Sequence, residues 1–271
     1  MKKTKTIMIA LLIVFLSMGT VTKAQTEAQH SHSTVGQSHN MSNDISKTEF
    51  ELRMEKQQPM DQIMKAIGVK KGMIIGDVGA GRGRVSLEMA KAVGPTGKIY
   101  ANDISKGDLD ILVERCKKAG IQNVETILGK EDDPLLPIES LDLVMINWVI
   151  HEVKEPEKLL RKIKESLKPG ASVVIIEGNE EERISNLKEM GFKGDNYPKE
   201  RIVKVQLGED AIKKLAKESG MSESSIPKEV KVVLNPTEED VITWAKGSGF
   251  EVVKIDKFLT RDNIYILKAV Q

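Results

Sequence analysis

The fold of this chain is decided by the stretch Met73-Ile74-Ile75-Gly76-Asp77-Val78-Gly79-Ala80-Gly81-Arg82-Gly83. Its apolar beginning predicts a short buried strand, which is followed by the acid Asp77 and three glycines spaced two apart. From Val85 onward, apolar residues recur at helical spacing. The glycines allow a sharp reversal with φ above zero, and they leave the backbone open to the close approach of a ligand. The stretch therefore predicts a strand, a glycine turn and a helix, with a ligand at the turn.

The spacing of these glycines distinguishes two kinds of nucleotide site. A Rossmann dinucleotide site reads G-x-G-x-x-G, whereas this chain reads D-x-G-x-G-x-G. The second form resembles the first motif of class I S-adenosylmethionine-dependent methyltransferases. The resemblance implies that S-adenosylmethionine is the cofactor, and that its methionine part is held around Asp77, Gly79, Ala80, Gly81 and Gly83. Taken alone, the motif is also compatible with a plain turn between a strand and a helix.

A second acid strengthens the resemblance. The run Lys98–Ile104 predicts the next strand, and its acid Asp103 lies 26 residues after Asp77. A carboxylate at a strand end can accept two hydrogen bonds from the hydroxyls of a ribose. The resemblance implies that Asp103 holds the ribose and that Ile104 packs beside the adenine. The alternative is an aspartate that caps the following helix.

The adenine site is less regular in this sequence. A third strand is predicted at Val124–Gly129, and the run K-E-D-D-P-L-L-P follows it. In many members of the family, an acidic side chain and a backbone N–H in this turn hold the adenine. Lys130 stands where the first acid would be, so we expect Asp132, or else Glu131, to take over.

The fourth predicted strand leads into the residues expected near the reaction. Leu141–Trp148 is apolar enough for a central parallel strand buried on both faces. Ligands bind beyond the carboxyl ends of such strands, so the turn from Asn147 to Glu152 should face the cleft. The resemblance places Asn147 in the cofactor site and His151 near the reactive methyl group. His151 is then a general base or a group that orients the acceptor, or alternatively a helix-start histidine bonded to the backbone.

The remaining elements predict an α/β fold, namely a Rossmann-like seven-stranded, mostly parallel sheet with an antiparallel last strand and helices on both faces. A helical region at 49–67, interrupted at Pro59, is implied by the resemblance to cover the cofactor cleft. A fifth strand ends at Glu177. Two final runs, Phe250–Phe258 and Asn263–Ala269, are joined by only four residues, which indicates an antiparallel hairpin.

The N-terminal segments predict export. Residues 1–24 combine a basic start with an apolar core too short to span a bilayer comfortably, as in a signal peptide. We expect a periplasmic or extracellular protein, or alternatively one anchored to a membrane by an uncleaved signal. Residues 25–48 are polar and predict a flexible linker, in which His30, His32 and His39 are solvated and not metal ligands. The resemblance implies a methyltransferase domain at residues 49–271, interrupted by an insertion at 178–236 that we interpret as a lid or a surface addition.

The charge balance and the cysteine count limit the partners and ligands that the sequence predicts. The 271 residues carry 41 basic and 40 acidic side chains, a net charge of +1, which gives no electrostatic case for nucleic acid. The single cysteine, Cys116, excludes an intramolecular disulfide and a cysteine-based zinc site, and no metal is predicted. Small molecules, lipids and protein side chains all remain as methyl acceptors. We expect a small molecule, because the sequence suggests neither a basic surface nor a peptide groove, and the oligomeric state stays open.

The sequence thus favours a transferase that moves a methyl group from S-adenosylmethionine to a nucleophile by in-line displacement. Two alternatives remain. One is an exported binding protein that kept the fold and lost catalysis. This alternative matters because S-adenosylmethionine is made in the cytoplasm, whereas the signal directs the chain outward. The other is a nicotinamide-dependent oxidoreductase, which the glycine spacing and the terminal hairpin disfavour.

Overall fold

The structure is a computed structural model, and it describes residues 46–189, 202–219 and 222–270. The predicted signal, almost all of the predicted linker with its three histidines, and the turn region at 191–198 lie outside the described residues. The described chain divides into two compact units. The larger unit runs up to Asn186 and resumes at Val233, and the smaller one is formed by segments between these two residues.

The larger unit alternates strands and helices as predicted. Its helices are α1 (Glu49–Gln57), α2 (Met60–Ala66), α3 (Arg84–Val93), α4 (Lys106–Ala119), α5 (Pro156–Ser166), the beginning of α6 (Glu180–Glu189), and α8 (Glu238–Gly247). Its strands are β1 (Ile74–Val78), β2 (Lys98–Asp103), β3 (Val124–Leu128), β4 (Leu141–Asn147), β5 (Leu167–Gly178), β8 (Phe250–Asp256) and β9 (Asp262–Ala269).

These seven strands form one sheet in the order β3-β2-β1-β4-β5-β9-β8. Neighbouring strands from β3 to β5 pair in parallel, with Val78 opposite Ile146 across β1 and β4. The reversed strand β9 pairs antiparallel with both β5 and β8. The predicted α/β fold with an antiparallel last strand is therefore confirmed.

Helices cover both faces of this sheet. On one face α2 and α3 pack Ile63 and Met89 against Ile75 and Met145 of the central strands. On the other face α5 and α8 pack Leu160 and other apolar residues against the sheet. Because β4 is covered on both sides, its apolar residues are buried without alternation, as expected of a central parallel strand.

Two helix starts show how side chains set the boundaries. The sequence predicts a helix at Leu109–Ala119, closed by Gly120. Helix α4 begins earlier, at Lys106, because the Ser105 side chain accepts a hydrogen bond from the Asp108 N–H. The run Thr237–Asp240, with three acids in succession, predicts a helix start. Helix α8 begins there with a full capping box, in which Thr237 and Asp240 exchange hydrogen bonds between side chain and backbone.

The smaller unit contains a two-stranded sheet of β6 (Ile202–Gln206) and β7 (Glu229–Val233). Between them lie α7 (Glu209–Ser219) and a short 3₁₀ helix (Glu223–Ser225). The sequence of the insertion predicts a helix at Glu209–Ser219 and a short strand at Val230–Leu234. The helix has these bounds and β7 lies one residue earlier than the predicted strand, whereas β6 was not predicted. The interpretation of this insertion as a lid stays a prediction.

Two features bear on membrane insertion and metal binding by the described residues. Within 46–189, 202–219 and 222–270, none of the helices is both long and apolar enough to cross a membrane. The same residues hold no group of three or more His, Cys, Asp or Glu suited to a metal ion. Cys116 is a buried free cysteine on α4, and burial raises the pKa of its thiol.

Candidate active site

The glycine turn after β1 has an open side. Gly79, Gly81 and Gly83 all have positive φ, with values of 74°, 51° and 86°. A Cβ on Gly79 or Gly83 would lie 2.1 Å from the side chains of Val149 or Leu112, so packing forbids a side chain there. A Cβ on Gly81 would have nothing within 4 Å. The turn is therefore closely packed at its two ends and open at its middle, where a ligand can approach the backbone.

The acid predicted to hold the ribose lies at this open position. Oδ2 of Asp103 accepts a hydrogen bond of 2.8 Å from the Gly81 N–H, and Oδ1 accepts one of 2.8 Å from the Ser105 N–H. The neighbouring Ile104 side chain is 60% exposed although it is apolar. Asp103 thus contacts the glycine turn directly, whereas its contact with a ribose and the packing of Ile104 beside an adenine stay predictions.

Asp77 is placed behind the turn. Its side chain is buried, and its Oδ2 accepts a hydrogen bond of 2.5 Å from Ser86 Oγ on α3. Burial raises the pKa of Asp77 to about 6, although the Ser86 hydrogen bond and the charge of Arg84 oppose the shift. Ala80, which is also buried, donates its N–H to the Asn102 carbonyl. In this structure Asp77 and Ala80 support the shape of the turn, and their direct contact with the cofactor stays a prediction.

The two acids considered for the adenine lie in ion pairs. Asp132 pairs with Lys158 of α5, and Glu131 pairs with Lys154 at 3.1 Å. The Lys158 ammonium lowers the pKa of Asp132. Leu128, which sequence reasoning did not select, lies opposite Asp103 in the pairing of β2 with β3 and is 51% exposed. The contact of Asp132 with an adenine therefore stays a prediction.

Asn147 belongs to a buried polar cluster whose centre was not predicted. Gln58, at the end of α1, exchanges two hydrogen bonds with the Asn147 side chain, of 3.2 Å and 3.1 Å. It also donates to Asp262 Oδ2 at 2.9 Å and accepts from Arg84 Nη2 at 2.7 Å. The cluster of Gln58, Asn147, Asp262 and Arg84 thus connects the end of α1 with the last residue of β4, the first residue of β9 and the start of α3. Burial raises the pKa of Asp262, while hydrogen bonds from Gln58 and Trp148 oppose this.

Trp148 stands beside this cluster in a strained conformation. Its φ is 58°, in the left-handed region that a bulky residue rarely adopts. Its Nε1–H donates to Asp262 Oδ1 at 2.8 Å, which fixes the indole. The Phe50 ring of α1 lies 6.4 Å from the indole, and the His151 ring lies edge-on at 6.1 Å. The turn after β4 is thus lined by aromatic rings whose orientation is fixed.

His151 forms an ion pair with a buried carboxylate. Its Nδ1 lies 3.0 Å from Glu177 Oε2 at the end of β5, and its Nε2 lies 3.4 Å from Glu152 Oε1. Burial alone would lower the pKa of His151, but the Glu177 and Glu152 carboxylates outweigh it and raise this pKa to about 10. A protonated imidazole donates hydrogen bonds and accepts no proton. The roles predicted for His151, orienting the acceptor or acting as a general base, both stay predictions.

The N-terminal helix is fixed over the glycine turn. Glu51 of α1 forms a salt bridge with Arg115 of α4, and each side chain is only 8% exposed. Arg115 also donates to the carbonyls of Arg82 and Ser46, at 2.9 Å and 2.6 Å. The expected cover of the cofactor cleft by the helices before β1 is consistent with these contacts.

Known proteins resemble this chain in sequence and in fold. A family model described as a methyltransferase domain matches residues 69–220. Demethylmenaquinone methyltransferase of Staphylococcus aureus (strain JH9) is 36% identical over 118 residues, which are 43% of this chain and 47% of that protein. The chain thus spans about half the length of the curated relatives it matches.

Solved structures show the same fold. A SAM-dependent methyltransferase from Aquifex aeolicus is 22% identical, with a TM-score of 0.57 over 80% of this chain and 92% of that one. The PH0226 protein from Pyrococcus horikoshii OT3 is 20% identical, with a TM-score of 0.59 over 83% and 93%.

The family model covers more than half of the chain, so the chain belongs to the methyltransferase domain family. The family and the fold identify a class I S-adenosylmethionine-dependent methyltransferase, with S-adenosyl-L-methionine as its cofactor.

Proposed function

We propose that this protein transfers the methyl group of S-adenosyl-L-methionine to a small-molecule acceptor. The observation that carries the proposal is the hydrogen bond between the Asp103 carboxylate and the Gly81 N–H, at the open middle of the glycine turn. It supports a single surface on which the acid meets the ribose hydroxyls and the turn meets the methionine part. The exposed Ile104 adds an apolar contact suited to a base.

The residues present fit this cofactor. The open space at Gly81 admits a ligand for which Gly79 and Gly83 leave no room. Each carboxylate oxygen of Asp103 accepts a backbone hydrogen bond, and its second lone pair can accept another from a ribose hydroxyl. When bound, the cofactor supplies a methyl group activated by a positively charged sulfur. The part left to the protein is to hold an acceptor in line with that group and to limit access of water.

The acceptor side is formed by the turn after β4 and the ends of β5 and β9. Trp148, His151, Glu177 and Asp262 lie there, and Glu177 and Asp262 are almost fully buried. A compact set of rings and polar groups suits a small molecule, and the near-zero net charge gives no support for nucleic acid. A relative named for methylation of demethylmenaquinone also supports a small-molecule acceptor.

The test is a calorimetric titration of S-adenosylhomocysteine into the full chain, with a nicotinamide dinucleotide as the competing ligand. We expect binding of S-adenosylhomocysteine and none of the dinucleotide. A methyl-transfer assay with labelled S-adenosylmethionine on small-molecule extracts then tests catalysis. Cofactor binding without any labelled product would instead favour the alternative of an inactive binding protein.

We also propose export, on the basis of the basic and apolar segments at 1–24. N-terminal sequencing of the protein recovered from fractionated cells tests this. A mature chain that begins at Gln25 in the exported fraction supports the proposal, and an intact chain in the cytoplasmic fraction contradicts it.

A further inference from the structure

We infer that Gln58 is a positioning residue of the transferase, which holds Trp148 in place at the acceptor side through Asn147 and Asp262. The inference rests on the proposed function and adds a residue to the acceptor side of the same site. Gln58 is the residue at which helix α1 ends, so the N-terminal helix takes part in forming that side.

The side-chain amide of Gln58 uses its whole capacity for hydrogen bonds. The residue is fully buried. Its Nε2 donates to Asn147 Oδ1 at 3.2 Å and to Asp262 Oδ2 at 2.9 Å. Its Oε1 accepts from Arg84 Nη2 at 2.7 Å and from Asn147 Nδ2 at 3.1 Å. An amide offers two N–H groups and two lone pairs, so a different side chain here would leave a buried polar group without a partner.

The charged neighbours of Gln58 fix which way its amide points. The Arg84 guanidinium can only donate hydrogen bonds, and an ionised Asp262 can only accept them. The amide oxygen must therefore face Arg84 and the amide nitrogen must face Asp262, as they do in the structure. Both bonds involve a charged group, which makes them stronger than bonds between neutral groups. Gln58 thus has one fixed orientation between α3 and β9.

The first contact with the acceptor side acts on the backbone before Trp148. Asn147 is the last residue of β4 and directly precedes Trp148, whose φ of 58° is strained. The side-chain amides of Gln58 and Asn147 exchange hydrogen bonds in both directions. A strained conformation persists only where the surrounding groups hold it, and this pair of amides is one such group.

The second contact acts on the indole of Trp148. Asp262 is the first residue of β9 and is almost fully buried. Its Oδ1 accepts the indole N–H at 2.8 Å, while its Oδ2 accepts the hydrogen bond from Gln58. Because both donors bind one carboxylate, the bond from Gln58 fixes the plane of the group that holds the indole. Gln58 therefore acts on both the backbone and the ring of Trp148.

The ionisation of Asp262 makes this arrangement measurable. Burial raises the pKa of Asp262, and the hydrogen bonds from Gln58 and Trp148 oppose this rise. Of the charged neighbours, Glu177 at the end of β5 raises this pKa and Arg84 lowers it. Loss of the Gln58 donor should raise the pKa of Asp262 further, because a hydrogen bond to the anion is lost.

The first test follows the indole N–H of Trp148 by two-dimensional NMR of the full chain. The chain has 2 tryptophans, and Trp148→Phe assigns the signal. Gln58→Met keeps the length of the side chain and removes its hydrogen bonds. We expect exchange of this N–H with solvent to become about tenfold faster in the variant. Gln62→Met changes an exposed glutamine of α2 and, as the matched control, should leave the exchange unchanged.

The same signal, measured against pH, separates positioning from packing. In the wild type it should move as Asp262 titrates, and Asp262→Asn should abolish that step. The midpoint should lie at higher pH in Gln58→Met, because the carboxylate has lost a donor. Gln58→Glu keeps an oxygen for Arg84 but brings a second carboxylate to Asp262, so its midpoint should also rise. If Gln58→Met does not fold, Gln58→Glu decides the question.

Methyl transfer gives a second readout. With saturating S-adenosylmethionine and a fixed small-molecule extract, the initial rate of label transfer should fall about tenfold in Gln58→Met, because the acceptor is aligned less well. The affinity for S-adenosylhomocysteine should stay within about twofold of the wild type, because the hydrogen bonds of Gln58 go to residues other than Gly81 and Asp103. This affinity also shows that each variant is folded.

Two results would overturn the inference. One is that the exchange rate and the titration midpoint of the Trp148 indole are unchanged in the Gln58 variants, and the other is an unchanged rate of methyl transfer. In both cases, a wild-type chain that binds S-adenosylhomocysteine and transfers label would leave the proposed transferase function standing. A wild-type chain that does neither would reject the proposed function and the inference together.

Discussion

The Oδ2 atom of Asp103 lies 2.8 Å from the backbone nitrogen of Gly81, so the end of β2 and the glycine turn after β1 meet directly. The two residues are 22 positions apart in the chain. Their contact joins two features that the sequence could identify only separately. It also means that a change at either residue should affect binding of the cofactor at the other.

Replacement of Asp103 by alanine should weaken binding of S-adenosylhomocysteine by about 1–3 kcal/mol, because charge-assisted hydrogen bonds are lost. Calorimetric titration of the full chain measures this. Asp110→Ala is the matched control, since Asp110 lies on the exposed side of α4 and pairs only with Lys106 in the structure. Wild-type affinity in the Asp103 variant would refute its assignment to the ribose.

The glycines of the turn should respond differently to alanine. Gly81→Ala should lower the free energy of unfolding by about 1–2 kcal/mol, because of its positive φ. It should also weaken S-adenosylhomocysteine binding, because the added methyl group enters the open space. Gly83→Ala should lower the free energy of unfolding by about 1–3 kcal/mol more than Gly81→Ala does, because the new methyl group clashes with Leu112.

Gly120→Ala is the control for this comparison. Gly120 has a φ of 67° and open space around its Cα, but it lies at the end of α4. Urea unfolding should show a strain cost like that of Gly81→Ala, and calorimetry should show unchanged affinity. An equal loss of affinity in both variants would mean that the space at Gly81 is not a binding surface.

The stability of the protein should fall at alkaline pH through His151. The folded-state pKa of His151 is raised from 6.5 to about 10, mainly by Glu177 and Glu152 acting against burial. A raised pKa gives stability that is fully present below about pH 6.5 and is lost as the pH rises through about 10. Urea unfolding across this range should therefore show a steeper fall for the wild type than for His151→Gln.

A direct titration checks the same pKa. The chain has 4 histidines, and NMR of the imidazole groups should show one that remains protonated at about pH 8 while the others do not. Two results would contradict a raised pKa of His151. One is that the stability of the wild type and of His151→Gln depends on pH in the same way, and the other is an NMR titration of His151 with an ordinary pKa.

The buried pair of Glu51 and Arg115 should stabilise the N-terminal helix. Arg115→Met leaves the Glu51 carboxylate buried without its partner, and it should lower the free energy of unfolding by about 3–5 kcal/mol. Adding Glu51→Gln should restore part of this loss, because the buried charge is removed. Lys162→Ala breaks the exposed pair of Lys162 and Glu165. It should lower the free energy of unfolding by less than about 1 kcal/mol, measured by urea unfolding in the same way. Similar losses for both pairs would contradict the burial argument.

The sequence predicted those parts of the fold that depend on short patterns of neighbouring residues. The strand before the glycine turn, the acid at residue 103 and the terminal hairpin each depend on a short pattern, and the structure contains all three. The start of α4 was missed although Ser105 and Asp108 form a recognisable cap. The strand β6 was missed because its alternating run, I-V-K-V-Q, lies in an insertion where no pattern fixed a partner.

The acceptor side could not be predicted in the same way. Gln58 contacts Asn147 and Asp262, which are 89 and 204 residues away in the chain. A buried glutamine has no spacing that distinguishes it from an exposed one before the fold brings its partners together. The raised pKa of His151 likewise depends on Glu177. The sequence places this acid at the end of the fifth strand, but it does not show that the acid pairs with His151.

Because β9 runs antiparallel to its neighbours, a residue from near the end of the chain lies at the edge of the sheet where the acceptor side is formed. In a parallel sheet only the last residue of a strand reaches the carboxyl edge, but a strand running the other way brings its first residue there. Asp262 opens β9 opposite Gly178 at the end of β5, and from that place it fixes the indole of Trp148. Deleting the last ten residues, 262–271, would spare every cofactor motif, yet it would remove this carboxylate together with the whole of β9.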